Sequence, residues 1–530
     1  MSLDINILTA ATTCFPLKPE RYAARPVPSL EEYEQLWIVW DIVTRFMLPQ
    51  EELLTKPIKL RNCCLFYLGH IPTFLDIHLS RAMDEDPTDP SSYRAIFERG
   101  IDPDVDNPEH CHAHSEIPDT WPPTEEILGF QERVRDRVRS IYATGNPDKS
   151  RKIGRALWIG FEHEAMHLET LLYMLVQSDK IKPPPGDAPD FAALAEDAKR
   201  NRVSNEWFNV PISSFSIGLN DPESDLESDL RLEHYFGWDN EKPVRNIDTV
   251  PAFQAKARPI TNQEYAQYLE KTHQCRVPAS WALEVSVASE ETNGTGSNGI
   301  YLNGHSELLT EAYLRGKAVR TVYGLVPLEH ALDWPVFASF DELSGCAKWM
   351  GGRIPTVEEA RSIYNYVDRT KSKEAEEVQS RTISAVNGHL SNNGVEETPP
   401  STLHLQGASG TEYAPQPQQL FVDLEGCNVG FQNFHPTAVT QNGNQLSGQG
   451  GMGGAWEWTS SVLEQHEGFE AMDLYPLYTA DFFDGKHNIM LGGSWATHPR
   501  IAGRRSFVNW YQRNYPFVWA TARLVRDDTS

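Results

Sequence analysis

Nowhere in the 530 residues does an apolar run approach the roughly 20 residues that a membrane span needs. The opening segment, Met1 to Cys14, lacks the basic start of a secretory signal. We therefore expect no membrane partner and a cytoplasmic location. Basic residues are in deficit: 47 Lys and Arg face 74 Asp and Glu, giving a formal charge of −27. Such a balance argues against nucleic acid, whose phosphates demand basic patches. Cysteine is sparse, with seven residues at 14, 63, 64, 111, 275, 346 and 427 and no CxxC pair to suggest a zinc knuckle or redox motif. A reducing compartment fits that pattern, and the Asn293-Gly294-Thr295 sequon is then an idle match. There is no repeat of fixed period. Material for burial is ample, at 40% hydrophobic and 10% aromatic residues, and the length predicts two globular domains.

The first 180 residues read as four helices. Ser29-Leu30-Glu31-Glu32 is a capping box ahead of Leu36, Trp37, Val39, Trp40, Ile42 and Val43. A second helix is expected from Lys59 to Leu79, bent or interrupted at Pro72. The third follows Pro122-Pro123-Thr124, and the fourth runs from Lys152 to Gln177. Four such segments with a long excursion between the second and third suggest a four-helix bundle. Residues 181–208 read as a Pro-rich linker, and 209–530 as an irregular mixed domain rich in Gly, Pro, Asn and Trp. Flexible stretches are expected at 289–299, 371–419 and 436–454, which hold little to bury.

The fourth helix carries His163-Glu164-Ala165-Met166-His167. Histidines four residues apart share one helix face, so two neutral imidazoles can meet one transition metal; a hydrogen-bonded histidine pair on an amphipathic helix is the plainer reading. The same letters spell the HExxH zinc-protease pattern, with Glu164 as general base and Glu196 as a third ligand. The competing third ligand is His70, in Leu68-Gly69-His70, with His78 equal to it by periodicity. His110, His112 and His114 sit between Pro-rich turns and read as a solvated loop.

Leu68-Gly69-His70 together with the HEAMH helix resembles the DinB-like iron-binding domain of ergothioneine-pathway sulfoxide synthases, in their fungal form. The second half resembles the formylglycine-generating-enzyme-like domain fused to it, itself a C-type-lectin-like fold. The resembling stretches are Pro259 to Tyr265, Gly351 to Thr356, Gly454 to Ser461, Gly492 to Arg500 and the tail from Gly503 to Arg523. The resemblance implies an α+β protein with an iron(II) held by His70, His163 and His167 and with open positions for substrate. It implies a reaction that joins the sulfur of cysteine to the imidazole C2 of hercynine and oxidises that sulfur, with dioxygen as co-substrate. A tyrosine near the iron passes a proton; Tyr478 and Tyr475 both stand where it should fall. Asn509, Trp510, Tyr511 and Trp495 are the implied substrate-binding residues, with Arg94 or Arg99 pairing with a substrate carboxylate.

Some bacterial relatives have Gln where this chain has Met166, and Asp where it has Tyr511. Those relatives use γ-glutamylcysteine, so Tyr511 favours free cysteine. The paired copper-binding cysteines of formylglycine-generating relatives are absent from the tail. No glycine-rich methyltransferase segment precedes the helices, which leads us to expect a separate methyltransferase to supply hercynine. A related synthase acting on histidine, or using a selenium donor, is the variant reading. An HExxH zinc hydrolase and a metal-stapled recognition protein are the competing classes.

Overall fold

The computed structural model describes residues 13–101, 104–107, 114–145, 147, 149–221, 234–283, 309–386 and 417–528. Four helices form the N-terminal body: α1 (Leu30–Asp41), α2 (Cys64–Met83), α3 (Thr124–Ala143) and α4 (Arg151–Leu175). The α1 capping box closes reciprocally, with the Glu32 N–H on Ser29 Oγ at 3.2 Å and the Ser29 N–H on Glu32 Oε2 at 2.7 Å. Pro72 does not interrupt α2, which runs through it as one helix and begins at Cys64 rather than Lys59. Burial of nearly every α2 side chain from Cys64 to Ser80 outweighs the one hydrogen bond that proline cannot donate.

Two glycines set how closely these helices approach. A Cβ on Gly160 of α4 would lie 2.3 Å from Leu75 Cδ1 of α2, and one on Gly69 would lie 2.5 Å from the Phe97 ring. Gly69 precedes His70 and Gly160 lies three residues before His163, so the small residues let α2, α4 and the Phe97 turn close around the same point.

After α4 comes α5 (Phe191–Arg200), then strands β1 (Trp207–Val210), β2 (Ser213–Ile217), β3 (Arg245–Val250), β4 (Phe253–Lys256), β5 (Trp281–Leu283), β6 (Lys317–Thr321) and β7 (Gly324–Pro327). The rest comprises β8 (Trp456–Val462), β9 (His487–Gly492), β10 (Asn509–Gln512), β11 (Ala520–Thr521) and β12 (Val525–Asp527). They form small sheets in the orders β1-β4-β12, β2-β3, β5-β6-β7 and β10-β9-β8-β11. Long helices of this half are Asn262–Lys271, Phe340–Trp349 and Val357–Val386. The arrangement is α+β, with a helical first part and small sheets in the second.

Residues 436–454 are not the loose stretch expected. Val439, Thr440, Ser447, Gln449 and Met452 are buried, and Gln449 donates to the Ala502 carbonyl at 2.7 Å. Of 371–419, the part up to Val386 is helical; 289–299 lies outside the described residues, as do His110 and His112. His114 is exposed, as a loop residue should be.

One hydrophobic cluster joins both halves, from Trp37, Leu68 and Leu172 to Trp456, Trp495 and Trp519. The first described residues also cross over: Phe15 N–H bonds the Gly430 carbonyl at 3.0 Å, and Tyr22 Oη donates to Val422 at 2.6 Å.

Candidate metal centre and substrate cavity

His163 and His167 project from one face of α4, as their spacing requires, and His70 faces them from α2. Their candidate ligand atoms all lie within 4.8 Å of one another. Ring centroids are 4.8 Å apart for His70 and His163, 4.9 Å for His70 and His167, and 4.4 Å for the helix pair. His70 Nδ1 bonds the Phe97 carbonyl at 2.6 Å, which orients the ring and leaves Nε2 for the cluster. Phe66 stacks on His70, and Phe74 lies flat on His163 at 3.6 Å.

Burial pushes His70 down to about 4, and burial plus the neighbouring imidazoles holds His163 and His167 well below the ordinary range. All three are therefore neutral at pH 7, the form that ligates. Nδ1 of His163 and of His167 finds no hydrogen-bond partner among the described residues. Buried imidazoles with an orphaned nitrogen and lone pairs converging on one point suit a transition metal. His78 is also buried, but it packs against Phe74 and Tyr475 outside this cluster.

The carboxylates around the motif divide by helix face. Glu164 points back into the bundle, where it takes a hydrogen bond from Trp37 and lies near Arg135 and Asp41; burial raises it to about 7. It does not line the cavity beside the histidines, so it is not placed as a general base. Glu196 lies on α5 beside a different cavity, with its side chain largely exposed, and supplies no third ligand.

Glu162 and Glu169, two turns apart, face the second half. Glu162 accepts from the indoles of Trp158 and Trp238 at 2.7 and 2.8 Å and pairs with Arg504, whose Nη2 lies 2.8 Å away. Glu169 accepts from Trp456 Nε1 at 2.7 Å and Thr497 Oγ1 at 2.6 Å. Burial raises its carboxyl to about 6. The histidine helix is thus clamped at both ends of its motif by the second half.

The histidines open on a cavity of about 210 Å³ walled by both halves. Asn509, Trp510, Tyr511 and Gln512 all reach it from β10, which is an edge strand paired to β9 in the register Trp510 to Ile489. Tyr478 stacks on Trp238 at 4.0 Å, meets Trp510 edge-on at 5.2 Å, and sets its Oη 4.0 Å from Met166 Sδ, between the two helix histidines in sequence. Burial, then nearby Asp239, Glu241 and Glu162, hold its phenol well above the usual range. Tyr475 also lines the cavity, but its ring packs edge-on against Phe74 and His78 and lines an adjoining cavity too. Tyr511 Oη is 3.1 Å from Tyr173 Oη, and its ring stacks on Tyr515.

The remaining sequence candidates fall elsewhere or serve two contacts. Arg99 lines the cavity and pairs with Asp481 at 2.5 Å. Arg94 lines only the adjoining cavity. Trp495, in the turn that follows β9, is a core residue stacked on Trp519 at 4.7 Å and lies off the cavity wall. Arg61, Glu169, Trp456, Gln512 and Tyr515 were not singled out from the sequence. Glu169 sits two residues from His167 and Gln512 directly follows Tyr511, which is a signal of position alone; Arg61 carries none.

Residues 193–528 match the family described as Sulfatase-modifying factor enzyme 1-like domain, and residues 36–171 match the DinB superfamily. The chain is 58% identical over 535 residues to Ergothioneine biosynthesis protein 1 of Neurospora crassa, covering 99% of this chain and 60% of that protein. It is 34% identical to Ergothioneine biosynthesis protein 1 of Schizosaccharomyces pombe, covering 95% of this chain and 56% of that protein. It is 26% identical over 293 residues to Hercynine oxygenase of Mycobacterium tuberculosis, covering 54% of this chain and 56% of that protein. The chain thus spans less than two thirds of the length of each of these relatives.

Proposed function

The chain belongs to the sulfatase-modifying factor enzyme 1-like family, with a DinB-superfamily bundle ahead of that domain, and from that premise we propose a dioxygen-dependent, non-haem iron(II) sulfoxide synthase of ergothioneine biosynthesis. The reaction forms a bond between cysteine sulfur and the imidazole C2 of hercynine. One oxygen atom of dioxygen ends on sulfur and the other leaves as water, which takes up the S–H and C2–H hydrogens. The observation that carries this reading is the three-histidine cluster opening on a cavity that the second half completes with Tyr478, Asn509 and Trp510. The likeness to Ergothioneine biosynthesis protein 1 over nearly the whole chain supports it.

His70, His163 and His167 hold the metal. An iron(II) bound there supplies the one-electron chemistry that lets triplet dioxygen react with closed-shell substrates. The chain supplies binding and proton control. Two substrates held in one small cavity gain the proximity of an intramolecular reaction. Tyr478 keeps its proton at neutral pH, and its only described acceptor is a thioether, a weak one, so the hydroxyl is free to donate toward substrate. Asn509 and Trp510 orient the imidazole partner from the edge strand. Tyr511 replaces an acidic wall with a neutral phenol, raised to about 12 by burial, which suits cysteine as donor. We place the reaction in the cytoplasm, consistent with free thiols at the six described cysteines, with hercynine supplied by a methyltransferase.

Iron(II)-loaded protein mixed with hercynine, cysteine and air is expected to give the coupled sulfoxide by mass spectrometry, and His70→Ala to give none. Oxygen uptake without a C–S product would refute the reaction. Tyr478→Phe should divert oxygen toward oxidation of cysteine alone, whereas Tyr475→Phe leaves the product ratio unchanged.

A further inference from the structure

Arg61 is a cavity-wall residue to which the reaction above gives no task. It precedes α2, with its N–H on the Ile58 carbonyl at 3.0 Å, and its side chain is buried in the same cavity as the three histidines. Its neighbours are phenols. Nε donates to Tyr515 Oη at 3.0 Å, and the guanidinium carbon lies 5.5 Å from the ring centroids of both Tyr173 and Tyr515. Tyr67 also hydrogen-bonds to it.

Most other buried arginines sit against acids: Arg135 on Asp41 at 2.9 Å, Arg155 on Asp221 at 2.6 Å, Arg504 on Glu241 at 2.9 Å and Arg523 on Glu457 at 2.9 Å. Arg361 pairs with no acid, but it donates to the Phe507 carbonyl at 2.6 Å and does not line this cavity. Among the described residues Arg61 has no carboxylate within ion-pair distance. Burial keeps Tyr67, Tyr173 and Tyr511 protonated, so none of them neutralises it. A desolvated cation surrounded by neutral groups is costly, and a fold that retains one at a cavity wall gains its counter-charge from a ligand. The rings above it also hold the planar fork in place, as a two-pronged pairing with a carboxylate requires.

We propose that Arg61 is the anchor for the α-carboxylate of an amino-acid substrate in this cavity. The proposal rests on the reading of the substrates as amino acids. Thiol donor and imidazole acceptor both carry an α-carboxylate, so the test separates them.

In anaerobic iron(II)-loaded protein no turnover occurs, and affinities are read by calorimetry for cysteine against cysteamine and for hercynine against its descarboxy counterpart. In one of the two pairs the acid-bearing ligand should bind at least ~30-fold more tightly, the scale of a desolvated charge pair. Arg61→Gln should reduce that preference to within about 3-fold while leaving the descarboxy ligand's affinity unchanged. The pair that loses its preference identifies the substrate held. Equal weakening of acid and descarboxy ligands, or no preference in either wild-type pair, overturns the assignment. Should the glutamine variant not fold, Arg61→Lys keeps the charge without the fork. A drop of ~10-fold confined to the acid-bearing ligand is then expected, and an unchanged affinity refutes the anchor. Absence of a C–S product in air would refute the reaction and leave these affinities standing; absence of the preference refutes Arg61 and leaves the reaction standing.

Discussion

Replacing Glu162 by Gln should loosen the fold and misplace the proton donor together. The carboxylate is fully buried and receives two indole N–H groups as well as the Arg504 guanidinium. An amide of the same size offers one acceptor oxygen and presents an NH2 to donors, so at least one buried donor loses its partner. Breaking a buried pair from one side costs ~3–5 kcal/mol, of which each stranded donor accounts for about 1–3. Arg504 keeps Glu241, with contacts at 2.9 Å to each oxygen, which places the expected loss near the lower end, ~3 kcal/mol. That is roughly a 150-fold fall in the ratio of folded to unfolded protein.

The chemical consequence follows from geometry. Trp238, which donates to Glu162, is the ring on which Tyr478 stacks at 4.0 Å, so freeing the indole removes the floor beneath that phenol. Urea unfolding followed by tryptophan fluorescence checks the first effect, and the ratio of coupled sulfoxide to oxidised cysteine checks the second. Joint replacement of Glu162 and Arg504 by Leu and Met should cost less than the sum of the single changes, because the double change no longer sets Glu162 and Arg504 against a missing partner, although Glu241 still loses its arginine. A loss under 1 kcal/mol for Glu162→Gln, with an unchanged product ratio, would refute the clamp.

Further outcomes follow from the same structure. Gly160→Ala puts a methyl 2.3 Å from Leu75 and should cost ~1–3 kcal/mol while lowering metal affinity, measured by equilibrium dialysis. Asp239 is buried, accepts from Thr479 and the Asn240 N–H, and leaves Oδ2 without a partner, and burial raises it to about 6. The folded state therefore binds the extra proton, so stability should fall by on the order of 2 kcal/mol as pH rises from about 4 to about 6, and Asp239→Asn should abolish that fall in urea titrations. Metal at 100 times its dissociation constant should stabilise the fold by ~2.7 kcal/mol, seen as a lower melting temperature on chelation; His70→Ala should make the melting temperature insensitive to chelator.

Helix positions and the histidine pair were legible because both depend on local periodicity. Four-residue spacing fixed that His163 and His167 share a face whatever packs against it. The capping box at Ser29 and Glu32 and the start of α3 after Pro123 are equally local. Local signals alone do not decide whether α2 continues past Pro72 or whether residues 436–454 are loose, since burial against distant segments outweighs a lost hydrogen bond or a poor composition.

By itself, the sequence determined the four N-terminal helices, the acidic balance, the histidine pair and the motif series from Pro259 to Arg523 that carries the family likeness. Only the tertiary structure decided the rest. It brought His70 rather than His78 to the pair, turned Glu164 into the bundle, and set Tyr478 and Tyr475 in different surroundings. It also exposed Arg61 as a buried cation at the cavity wall. The physical reason is common to all four. Each depends on which side chain fills space across an interface between segments hundreds of residues apart, and periodicity along a chain carries no information about that partner.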